Sequence, residues 1–132
     1  MRAVTLQAMS KKILLAEDEP SMRGHVQMIM SRWDCDLAIE PTAEGAIQRA
    51  ATLKPDVALI GYCTPGMDGA QAGIELLMVS PGTQIVLFNE SVPADIVSEL
   101  KARGHNFRTL AAPFDEEELQ ELCFPSSIHS VE

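Results

Sequence analysis

A chain of 132 residues is the size of one domain, and 46% apolar with 22% charged residues is the composition of a folded globular protein. Nineteen acidic residues against 10 basic ones give a formal charge of −9, which opposes approach to nucleic acid or to an anionic membrane surface. The longest apolar runs have strand length, far short of the roughly 18 residues that a membrane helix needs.

Residues 1–10 hold no signal-length hydrophobic region and read as a poorly ordered leader, with Met9 as an alternative start. Lys11 and Lys12 precede the continuous apolar run Ile13 to Ala16, which breaks into Glu17, Asp18, Glu19 and Pro20. That pattern predicts a strand buried on both faces and ending in an acidic loop. Pro20 and Ser21 open a helix in which Val26, Ile29, Met30 and Trp33 recur at helical spacing. A strand follows from Cys35 to Ile39, and Thr42 caps a helix from Ala43 to Leu53 that Lys54 and Pro55 stop.

Asp56 leads into a second apolar strand, Val57 to Ile60, and the Gly- and Pro-bearing stretch 61–69 reads as a loop before helical character resumes from Ala70 to Met78. Gln84 to Phe88 is a third apolar strand, Pro93 starts a helix carrying Ile96, Val97 and Leu100, and Gly104 ends it. A weaker strand, Thr109 to Ala111, precedes Pro113, and Asp115 with Glu118 forms a capping pair for a last helix through Leu119, Leu122 and Cys123. Residues 125–132 read as a polar tail.

Five strand–helix alternations predict an α/β fold, a doubly wound parallel sheet with helices on both faces, because parallel neighbours need crossover connections. In such sheets a functional site lies at the carboxyl ends of the strands. Attention therefore falls on Glu17 to Glu19, Gly61 to Gly66, Asn89 to Glu90, and Ala112 to Pro113.

The segments KILLAEDEP (Lys12 to Pro20), PDVALIG (Pro55 to Gly61), PGMDG (Pro65 to Gly69) and APF (Ala112 to Phe114), in that order, resemble the response-regulator receiver family over Lys11 to about Phe124. The resemblance implies a flavodoxin-like (βα)5 domain over 11–124 with strand order 2-1-3-4-5. It also implies a cytoplasmic signalling module of two-component phosphorelays, not an enzyme, whose partners are a sensor kinase or a downstream signalling protein. The acidic pair that holds magnesium in the family falls on Glu17 and Asp18, with a loop carbonyl at Cys63.

Four functional positions depart from the family together. Its phosphate-accepting aspartate falls on Gly61, its hydroxyl residue on Asn89, its lysine on Ala112 and its aromatic switch on Thr109. The small residue after the hydroxyl position falls on Glu90. An acyl phosphate forms when a carboxylate oxygen attacks phosphorus while a divalent ion neutralises charge, and glycine has no side chain to do so. The expectation is a pseudo-receiver that binds magnesium weakly, needs no cofactor and acts as a stand-alone, phosphorylation-independent protein-binding module.

Within the family the fourth helix, fifth strand and fifth helix usually carry partner contacts, which here implies Ile96, Leu100, Arg103, Phe107 and Arg108. With no cation from the motif set beside them, Glu17 and Asp18 are expected to raise at least one carboxyl pKa or attract a cation. Asn89 is expected to turn its amide inward toward them. The alternatives are phosphorylation of Asp18 or Asp68 and a flavodoxin-like cofactor binder, the latter opposed by the repulsion between the acidic loop and a flavin phosphate.

Cys35, Cys63 and Cys123 stand far apart without metal-like spacing, which fits free thiols in a reducing compartment. His25, His105 and His129 are scattered and read as solvated or core-edge residues. Met22, Met28, Met30, Met67 and Met78 are assigned mainly to core filling. The run Glu116 to Glu118 reads as a solvated helix start favoured by the helix dipole.

Overall fold

The computed structural model describes residues 11–62, 67–89 and 93–124, the side chain of Asn89 excepted. The readings of the leader, Cys63, Glu90, His129, the tail and the Asn89 amide lie outside these described residues.

Strand β1 (Lys11–Ala16) is fully covered from Ile13 onward, because both of its faces carry helices. It pairs in parallel with β2 (Cys35–Glu40) on one side and β3 (Val57–Gly61) on the other. Beyond β3 lie β4 (Gln84–Asn89) and β5 (Arg108–Ala111), also parallel. The resulting order, β2-β1-β3-β4-β5, is the one implied by the resemblance.

Alternation along the strands divides the core in two. Ile13, Leu15, Leu59, Val86 and Phe88 face α1 (Pro20–Met30) and α5 (Glu116–Cys123), meeting Val26, Ile29, Leu119 and Cys123. Leu14, Ala58, Ile60, Ile85 and Leu87 face α2 (Ala43–Leu53), α3 (Gly69–Val79) and α4 (Ala94–Ala102). Among the described residues the buried polar side chains, Ser80 and Thr83, are satisfied: Thr83 Oγ1 donates to the Pro55 carbonyl at 2.7 Å and lies 2.6 Å from Ser80 Oγ.

The helix starts follow local chemistry. Thr42 accepts from the Gly45 amide, Asp68 from the Gln71 amide, and Asp115 with Glu118 forms a reciprocal capping box. Glu19 caps α1 through the Met22 amide, with Pro20 opening the helix. Lys54 ends α2 in the left-handed conformation at φ 51°, and Gly104 follows α4 at φ 89°.

Two expectations change. Trp33 lies past the end of α1, where its ring meets Phe124 edge-on and its indole N–H donates to Glu116 at 3.3 Å. Met28 and Met78 are exposed, at 61% and 77%, while Met22, Met30 and Met67 pack against the core. In the expected partner face, Leu100 is buried at 4%, and Phe107 is half-buried and packs onto the α3 side of the sheet. Ile96 is half-buried, and Arg103 and Arg108 are exposed.

Candidate functional site

The register of the parallel strands assembles the site at one edge of the sheet. Ala16 pairs with Ile60, so Glu17 and Gly61 stand one step further along neighbouring strands. Gly61 pairs with Phe88, next to Asn89, and Asn89 pairs with Ala111, next to Ala112. The ends of β1, β3, β4 and β5 therefore present Glu17, Gly61, Asn89 and Ala112 along one rim. Thr109 sits three residues before Ala112, on β5, exposed beside Leu110, Glu117 and Glu118.

Carboxylates gather at the β1 end of this rim. Glu17 is half-buried, with its backbone tied to β2 by a hydrogen bond from its amide to the Glu40 carbonyl at 3.1 Å. Its side chain accepts from the Glu19 amide at 3.0 Å. Burial pushes its carboxyl pKa up; the Glu19 amide opposes this, and the Asp18 charge adds to the rise. Asp18 itself is exposed.

The sequence motifs place no cation here, but α1 does. Arg23, in the first turns of the helix, folds back so that its guanidinium donates to the Glu17 carbonyl at 3.2 Å and the Asp18 carbonyl at 2.9 Å. Spacing alone hid this contact, since it depends on the path of the chain from the loop into the helix. Glu19 was likewise missed as a functional side chain. Its carboxylate takes the Met22 amide at 2.8 Å and the Ser21 hydroxyl, which lowers its pKa.

Magnesium demands close to octahedral oxygen ligation. On this rim the described side chains offer two carboxylates, those of Glu17 and Asp18, of which Glu17 already accepts an amide. Among the described residues no group of three or more His, Cys, Asp or Glu side chains is arranged to hold a metal. The described donor set does not fit magnesium well.

The two alternative aspartates differ in place. Asp18 lies on the rim itself, whereas Asp68 is committed to the start of α3, with Oδ1 accepting the Gln71 amide at 2.9 Å. Ala112 is half-buried against the first core cluster and precedes a cis proline. Phe114 is buried in the same cluster, its ring centroid 6.3 Å from that of Phe88 and 5.5 Å from that of His25. Cys35 and Cys123 are free thiols, and burial pushes Cys123 up to about 12, which makes it a poor nucleophile.

The family model described as the response regulator receiver domain matches residues 13–123. The chemotaxis protein CheY of Thermotoga maritima is 26% identical over 108 residues, covering 80% of this chain and 88% of that protein. The DNA-binding response regulator MtrA of Mycolicibacterium smegmatis is 24% identical over 122 residues, covering 86% of this chain and 49% of MtrA. Among solved structures, the signal receiver domain of an HD domain-containing protein from Pseudomonas fluorescens Pf-5 superposes with a TM-score of 0.80 at 21% identity, covering 92% of this chain and 90% of that one.

Proposed function

The chain belongs to the response regulator receiver family, and on that premise we propose that its receiver unit, residues 11–124, signals through noncovalent protein contacts without being phosphorylated. The observation that carries this reading is the end of β3. Gly61 stands there in register with Phe88, at the position that resembles the family's phosphate acceptor, and offers no carboxylate.

The neighbouring groups support the same reading. Ala112 offers no amine at the position of the family's lysine. Arg23 donates to the carbonyls of the acidic loop, and Asp68 spends a carboxylate oxygen on capping α3. The loop thus has internal partners that need neither phosphate nor magnesium. Receiver domains are signalling modules rather than enzymes, and on this reading the chain keeps the module and loses the phosphoryl chemistry.

Incubation with magnesium and acetyl phosphate, followed by intact-mass measurement at neutral pH, tests the proposal. No mass increase is expected. Gain of one phosphoryl group, mapped to Asp18 or Asp68, would overturn it.

A further inference from the structure

We propose that the groove between α3 and α4 docks a basic amphipathic segment of a partner protein. The proposal rests on the reading of the chain as a protein-binding module and adds the surface and the chemistry of what it holds.

The two helices stand apart over the sheet. Leu100 is the fully buried residue of α4, and Ile96 and Val97 are half-buried. The space left between the helices has a volume of about 440 Å³. Its floor is apolar, made by Ile74 from α3 and by Ile96 and Leu100 from α4.

The walls are acidic. Asp68 and Glu75 on α3 and Glu99 on α4 line the groove, with Arg103 as the cation among its lining residues. Asp68 and Glu75 are two helical turns apart, about 10 Å at 1.5 Å per residue. Carboxylates spread over that length match several cations along a chain better than one small ligand.

Both α3 carboxylates are held in place while an oxygen stays available. Asp68 Oδ1 takes the Gln71 amide, and Glu75 Oε2 takes the Gln71 side-chain amide at 2.9 Å. Each carboxylate keeps its second oxygen as an acceptor. A segment with apolar residues on one side and Lys or Arg on the other satisfies floor and walls together. A second copy of the chain, at −9, brings like charge instead.

The test is a titration of the isotope-labelled full chain, followed by amide chemical shifts, with two synthetic helical peptides of equal length. One carries Leu and Lys, the other Leu and Glu. The Lys peptide is expected to shift amides of α3 and α4. The Glu75→Lys, Glu99→Lys double variant, changed at two groove-wall positions, is expected to bind that peptide about tenfold more weakly and to prefer the Glu peptide. Ile96→Ser, which removes apolar floor without changing charge, is expected to weaken binding of the Lys peptide to the native groove, which separates groove binding from general attraction to an acidic protein.

Shifts centred on Glu116 to Glu118 of α5, unchanged affinity in the double variant, or self-association through the same groove in sedimentation would each overturn the proposal. No phosphoryl donor is present in this titration. Phosphate uptake in the earlier experiment would therefore sink the phosphorylation-independent reading and leave the groove result standing.

Discussion

Glu17 carries a penalty that pH can reveal. Burial raises its folded-state pKa above the ordinary 4.5, so folding favours its protonated form. The corresponding stability is present below about pH 4.5 and is lost as pH rises through the raised folded value. Glu17→Gln keeps an acceptor for the Glu19 amide and removes the titration. The melting temperature of Glu17→Gln relative to the native chain should therefore climb between pH 4 and pH 7, measured by circular dichroism at constant ionic strength. A difference that is flat or falls with pH would show that the carboxylate is better stabilised than its burial implies. Glu19 has the opposite sign: its hydrogen bonds hold the pKa down, so its contribution is lost as pH falls through the lowered value. The acidic pair was legible because three acids break an apolar run. Glu19 as a cap was not, since capping preference points to Ser, Thr, Asp and Asn, and the return of Arg23 over the loop is a matter of tertiary path.

At the scale of elements, two glycines inside helices respond oppositely to the same change. Gly24 lies within α1 with nothing within 4 Å of an added Cβ. Gly24→Ala should therefore stabilise the fold by about 0.5–1 kcal/mol through backbone entropy alone. Gly73 lies within α3, where a Cβ would meet Phe107 Cε2 at 2.7 Å and Ile85 Cγ2 at 3.0 Å. Overpacking costs about 1–3 kcal/mol and exceeds the propensity gain, so Gly73→Ala should destabilise by about 1 kcal/mol. Urea unfolding of the two variants checks both signs, and a stabilised Gly73→Ala would mean that Phe107 yields easily. The same packing divides the expected partner face into covered and exposed residues. Spacing groups Ile96, Leu100 and Arg103 on one side of a helix, but the sheet decides which of them it covers. A loop aromatic such as Phe107 shows no periodicity that would mark it as inward. Capping residues fared better, because Thr42, Asp115 and Glu118 act on amides three residues away.

The whole molecule was legible where local and global signals agree. Continuous apolar strands alternating with amphipathic helices leave few solutions besides a parallel sheet covered on both faces. The strand order came from the resemblance and not from periodicity, which says nothing about neighbours. The chemistry of the rim depends on several strands at once, and that is where the last prediction belongs. Gly61→Asp would place a carboxylate one step beyond the Ala16–Ile60 pair, beside Glu17 and Asp18. Like charges oppose its ionisation, and Arg23 is already engaged with two backbone carbonyls. The single variant should therefore take up phosphate from acetyl phosphate about tenfold more slowly than Gly61→Asp, Asn89→Thr, Ala112→Lys. In the triple variant the lysine enters one step past the Asn89–Ala111 pair, on the same rim. Magnesium should also raise the melting temperature of the triple variant. A ligand at 100 times its dissociation constant contributes about 2.7 kcal/mol, whereas the native chain should shift little. Intact-mass time courses with thermal melts at 0 and 10 mM magnesium, about the range in which hard-cation sites of modest affinity fill, read both effects. Equal phosphorylation of the single and triple variants would show that a carboxylate at position 61 is sufficient and that the other departures are incidental.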